Sequence, residues 1–145
     1  MQLSDLINMT RLYARDNNSF MFTDANITIF LNQAIDRLAQ YPIFEKMPYL
    51  TNDVPDVYYL PRQYHYMLAL FASARCYDTD ERFYEGTEKR NEFENFLDGL
   101  ISDIEAGNVV IKDELGNVVV NPTKCTDTVT DAYFTSSGSD TEEVV

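Results

Sequence analysis

"LPRQYHYMLALFASARCYDTD", residues 60–80, decides how this chain is built. Pro61 suits the first turn of a helix, because its fixed φ is pre-set and its missing N–H would lack an intrahelical partner there anyway. Apolar residues then run nearly all round the helix: Tyr64, Met67, Leu68, Ala69, Leu70, Phe71, Ala72 and Ala74. A surface helix shows one apolar stripe, so a helix apolar on every side is either central to its domain or half-covered by a neighbouring subunit. The same stretch holds the one histidine of the chain, His65, and one of its two cysteines, Cys76. They stand about 16 Å apart along a helix, so they share a face without touching, and a Cys/His nucleophile pair within this helix is excluded. A lone histidine between Tyr64 and Tyr66 reads as a packed or surface residue.

Outward from this segment the pattern stays helical. Ser4 is a candidate N-cap for a first helix with Leu6, Met9 and Tyr13 at helical spacing, ending near "DNNS". Thr23 caps a second, whose stripe is Ile27, Phe30, Leu31, Ala34, Ile35 and Leu38, before Pro42 stops it. Residues 42–60 carry Pro42, Pro48, Pro55 and "TNDVPD" and read as a long ordered loop. The last helix has Phe93, Phe96, Leu97, Leu100, Ile101 and Ile104 on one face and Gly107 as its C-cap. Its first half, residues 82–92, reads as polar and solvated, with Glu85–Lys89 and Arg90–Glu94 as surface pairs at i, i+4 spacing. The expected core is therefore Ile27, Leu31, Ile35, Leu38, Leu68, Phe71, Phe93, Leu97, Ile101 and Ile104.

After Gly107 the period shortens. Val109 to Ile111 and Val118 to Val120 flank "DELGN", with Gly116 available for positive φ, which signals a β-hairpin. A lone hairpin is marginal in water. Residues 121–145 hold five acids against one lysine, with Tyr133 and Phe134 among few apolar groups, and are expected to lack order alone. The expected organisation is a helical domain over 1–106, a hairpin over 107–121 and an extended acidic arm over 122–145: mainly α, a small four-helix bundle with a hairpin and a tail.

Composition excludes several kinds of function. The 145 residues, 45% hydrophobic with nine Phe and ten Tyr, suffice for one core. A net charge of −13 argues against the phosphate-neutralising patch of a DNA-binding protein. The first residues lack a signal peptide's pattern and the longest apolar run, Met67–Ala72, is far short of a membrane span, so an intracellular protein without a membrane partner is expected. Cys76 and Cys125 are expected as free thiols. One histidine and two separated cysteines offer no zinc spacing. "DTDE", with Asp78, Asp80 and Glu81, begins like a calcium loop, but Arg82, Phe83 and Tyr84 follow, so a helix junction is the better reading. "KDEL" from Lys112 is internal and no retention signal. No Gly-rich phosphate loop, no G-x-S-x-G elbow and no pinned carboxylate pair occurs, so neither an enzyme nor a cofactor is expected.

Three stretches in this order carry a family resemblance: "FTDANITIFLNQAIDRLAQYPIF", "LPRQYHYMLALFASARCYDTD" and "FYEGTEKRNEFENFLDGLISDI". Over residues 20–105 the chain resembles the head–tail connector, or adaptor, proteins of tailed bacteriophages. The resemblance implies an α-helical bundle that assembles as a ring, usually a dodecamer, beneath the portal protein. It further implies a C-terminal extension that engages the portal, a tail or stopper protein on the other side, and genomic DNA passing through the lumen without sequence-specific binding. The location would be the virion neck, after assembly in the host cytoplasm. The hairpin and the acidic tail lie outside the resemblance. Read from the residues, an acidic lumen would let duplex slide, and the segments that cannot fold alone need a partner. Val109, Ile111, Val118, Val120, Tyr133 and Phe134 are thus the expected contacts to the portal or a neighbouring subunit. The rival expectations are a small acidic regulatory or antitoxin-like binding protein and an acid-dependent hydrolase.

Overall fold

The computed structural model describes residues 1–16 and 21–119. It is mainly helical, with four α-helices: α1 (Leu3–Ala14), α2 (Asp24–Leu38), α3 (Met67–Thr79) and α4 (Phe83–Glu105). No strand forms among the described residues, where only single antiparallel bridges occur. No helix among them is long and apolar enough to cross a membrane.

α3 is central. It packs on α1, α2 and α4, and Met67, Leu68, Ala69, Leu70, Ala72, Ser73, Ala74, Cys76 and Tyr77 are all buried. Apart from half-buried Phe71, the apolar residues of α3 are therefore covered within this chain, as a helix central to its domain requires. Ser73 is tolerated inside because its hydroxyl donates to the Leu70 carbonyl. α1 supplies Leu3, Leu6, Ile7, Thr10, Arg11 and Ala14, a stripe at steps of three and four. α2 supplies Ile27, Leu31, Ala34, Ile35 and Leu38. α4 adds Phe93, Leu97, Leu100 and Ile104. Edge-on aromatic pairs seal the α3–α4 seam, Tyr66 on Phe96 and Phe71 on Phe93, each with centroids 5.0 Å apart. Two residues expected in the core, Phe71 and Ile101, are only half-buried. Both pack against the core from its margin.

Boundaries differ from the sequence expectation in two places. α1 starts at Leu3 with Gln2, not Ser4, as N-cap, and the Asp5 carboxylate accepts the Gln2 N–H. Helix three does not begin at Pro61. A 3₁₀ turn, Arg62–Tyr64, follows the proline, and the α-helix starts at Met67. Thr23 caps α2 as its sequence predicts, its Oγ1 accepting the Asn26 N–H while Asn26 Oδ1 accepts the Thr23 N–H.

Residues 42–60 are more than a connection. Ile43, Phe44, Met47, Leu50, Val57, Tyr59 and Leu60 are buried in the core. Asn32 of α2 holds this segment through its side-chain amide, which donates to the Leu50 carbonyl and accepts the Leu50 N–H.

Candidate interaction surface

Of the residues expected to meet a partner, Val120, Tyr133 and Phe134 lie outside the described residues, as does Cys125. The other three lie in the segment that follows α4. That helix ends with Gly107 at φ 81°, its N–H donating to the Ile104 carbonyl while the Asn108 N–H reaches back to the Asp103 carbonyl. This is the Schellman arrangement, which the glycine at this place predicts. The chain then turns through Asp113–Asn117, where the Asp113 side chain accepts the N–H groups of Leu115 and Asn117 and Gly116 sits at φ 82°. One antiparallel bridge, Lys112 to Val118, joins the two arms, through the Val119 N–H on the Ile111 carbonyl and the Asp113 N–H on the Asn117 carbonyl.

Of the hairpin expected at Val109–Ile111 and Val118–Val120, the described residues form a turn with a single antiparallel bridge. The reason lies in what the valines and isoleucine touch. Ile111 is 1% exposed within the main core, and Val109 and Val119 pack against it. Ile111 is thus enclosed in this chain's own core, and Val109 is half-buried against it. Facing outward instead are Val110, Leu115 and Val118, the last two 79% and 60% exposed.

Further exposed apolar side chains, which sequence reading missed, are Phe83 and Tyr84 at the start of α4, 61% and 72% exposed, and Leu12 near the end of α1. The junction is tied together by the Tyr77 hydroxyl, which donates to the Tyr13 carbonyl, and by Arg82 over the Tyr77 ring and Lys89 over the Tyr13 ring. The available signal was that Phe83 and Tyr84 fall outside the stripe that runs from Phe93 to Ile104. The acids of "DTDE" form the helix junction, with Asp80 capping α3 and Glu81 at φ 60°. The Arg82 N–H returns to the Tyr77 carbonyl.

The ion pairs also differ from expectation. Glu85 pairs with Arg82 at 2.7 Å, Lys89 with Glu92 at 3.3 Å, Arg90 with Asp78, and Arg37 grips Glu94 with two nitrogens at 2.7 and 3.2 Å. Neither i, i+4 pair forms. Tertiary neighbours offered Arg90 and Glu94 partners on α3 and α2 instead.

His65 and Cys76 are built into the interior. The His65 Nε2–H donates to the Leu60 carbonyl at 2.7 Å, and Nδ1 accepts from the Met1 amine at 2.9 Å, the tautomer being assigned from these partners. Burial lowers the His65 pKa below its ordinary value, the Met1 ammonium acts in the same direction, and the Leu60 carbonyl opposes them. Burial pushes the Cys76 thiol up to about 12, so it stays protonated and unreactive. Tyr64 reaches about 12 chiefly because its hydroxyl donates to the Asp103 carboxylate. No group of three or more metal-ligating side chains gathers among the described residues.

An open groove of about 740 Å³ runs between the first halves of α1 and α2 and residues 50–55. Asp24 is the one ionisable side chain among its lining residues, and it is engaged by Arg11 at 2.5 Å. Asn32, also on the groove, is held by Leu50. No convergent acid, base and nucleophile line it. No family model, no curated protein and no solved structure matches this chain.

Proposed function

We propose that this chain is a head–tail adaptor subunit: a structural virion protein of the phage neck that forms a ring on the portal, extends the DNA channel and links capsid to tail. In this reading the helices are the bundle of the subunit, residues 107–121 its hairpin and 122–145 an arm along the portal with Tyr133 and Phe134 as anchors. The observation that carries it is a helical body with apolar side chains, Val110, Leu115 and Val118, standing exposed just beyond its last helix. A protein that works by contact needs such groups. The net charge of −13 supports a lumen past which duplex slides. The adaptor carries no chemistry and needs no cofactor.

The test is the mass of the particles formed with and without the portal protein of the same phage. A ring-sized increase on adding portal is expected. A monomer or dimer under both conditions would return the small acidic regulatory or antitoxin-like protein instead. Deleting residues 122–145 is expected to leave the helical circular dichroism intact while abolishing retention on portal.

A further inference from the structure

The residues ahead of α1 are fastened to residues 55–65 at two points. Gln2 and Asp56 form an antiparallel bridge through the Leu3 N–H, which donates to the Pro55 carbonyl at 2.8 Å. The Met1 ammonium donates to His65 Nδ1 at 2.9 Å. Asp56 Oδ1 lies 4.0 Å from the same ammonium, but the Asp56 side chain is 58% exposed, so water screens most of that attraction. His65 is the inner anchor. It is buried, and its Nε2–H is spent on the Leu60 carbonyl, so the neutral imidazole has its one donor and its one acceptor both in use.

That arrangement holds only while the ring is neutral. A proton on Nδ1 would set one N–H against another and one positive charge against another, in a site with little water to separate them. The two partners are unequal in what holds them. His65 keeps its bond to Leu60 in either protonation state and sits between buried Tyr64 and buried Met67. Met1 lies ahead of the helix, and Leu3, Leu6 and Ile7 anchor α1 in the core without it. From this geometry we infer that His65 is an acid-operated catch: on taking up a second proton it expels the Met1 ammonium and opens the Gln2–Asp56 bridge, while the four helices stay packed. Burial is the largest influence on that proton and opposes it; of the groups that face the ring, the Met1 ammonium and Arg62 also oppose it, and the Leu60 carbonyl and Asp56 favour it. The balance keeps the ring neutral at pH 6.5, the ordinary midpoint of a histidine, so the release comes below that value. Gln2, Leu3 and Pro55 all line the open groove, so the catch fixes the shape of the groove at this end. The inference is independent of the adaptor reading.

Nitrogen-15 NMR on the labelled full chain reads both halves of the catch. Between pH 7.5 and pH 5 the ring nitrogens of His65, the one histidine, report the proton, and the Leu3 amide reports the bridge. The Leu3 resonance is expected to move with the midpoint of the ring while the Leu68 and Leu97 amides in the core hold still. His65→Gln, which binds no proton, should leave Leu3 fixed across the range, and a thermal melt at pH 7.5 checks that it folds. A second variant leaves His65 in place. One glycine added ahead of Met1 replaces the ammonium at the ring by an uncharged amide, and the ring's midpoint should then shift upward. A ring still neutral at pH 5, a Leu3 amide that ignores the ring, core amides that move with it, or a midpoint indifferent to the added glycine would each overturn the catch.

Discussion

Arg11 turns its guanidinium inward. It donates to Asp16 Oδ2 at 3.0 Å, to the Phe22 carbonyl at 2.7 Å and to Asp24 at 2.5 Å, while Asp16 also accepts the Met21 and Phe22 N–H groups. This cluster locks the end of α1 to the start of α2. Removing one member of a buried pair leaves the other charge desolvated, so Arg11→Ala is expected to lower stability by about 3–5 kcal/mol in a denaturant titration. A loss under about 1 kcal/mol would mean that the pair behaves as a solvated surface bridge. His65 gives a pH prediction. Its native pKa lies below the ordinary 6.5, so the unfolded chain binds the proton more readily. Stability is then complete above pH 6.5 and falls as the pH drops through that value toward the lowered native pKa. His65 is the one histidine of the chain and carboxylates titrate near pH 4, so this window belongs to it. Melting temperatures of the wild type should decline between pH 7 and pH 5.5, and His65→Gln should flatten that decline. The sequence placed His65 in a helix between tyrosines but gave no means of seeing that Leu60 and Met1 would complete its hydrogen bonds.

At the scale of elements, three of the four helices end in one manner. α1, α3 and α4 close through Arg15, Glu81 and Gly107 in left-handed conformation, with the following N–H groups returned to Arg11, Tyr77 and Asp103. Only Gly107 advertises this in the sequence, because an arginine or glutamate reaches positive φ at a steric cost that tertiary packing must offset. Packing also explains Gly86. A Cβ there would run into Asp78 Oδ1 and crowd the Ala74 carbonyl at 3.3 Å, while Asp78 is itself held by Arg90. Alanine is the better helix former by about 1 kcal/mol, yet Gly86→Ala is expected to destabilise by about 1–3 kcal/mol. In an Asp78→Ala background the cost should shrink, and a double-mutant cycle measures the difference. Equal costs in both backgrounds would place the obstruction elsewhere. Leu97, fully buried on the α4 stripe, should lose about 2–5 kcal/mol on Leu97→Ala, and an unchanged thermal melt would refute its place in the core.

For the whole molecule, the 24 acids against 11 bases dominate long-range behaviour. Duplex DNA should show no mobility shift with this protein even at low salt, where electrostatic attraction would be strongest. Retardation that disappears on adding salt would reveal a basic surface that the folded chain gathers. What the sequence determined by itself was whatever repeats locally: the stripes of α2 and α4, the Thr23 cap, the Gly107 stop and the apolar circumference of α3. A 3.6-residue period is a property of neighbouring residues, so it can be read without knowing the fold. The tertiary structure decided which of two meanings α3 had, since only the placement of α1, α2 and α4 around it accounts for its apolar faces. It also drew residues 42–60 into the core, gave Arg37 and Arg90 partners on other helices, and buried Ile111 so that the turn rests on its own domain. Each of these depends on contacts between residues distant in sequence, and local periodicity does not encode which distant surfaces meet.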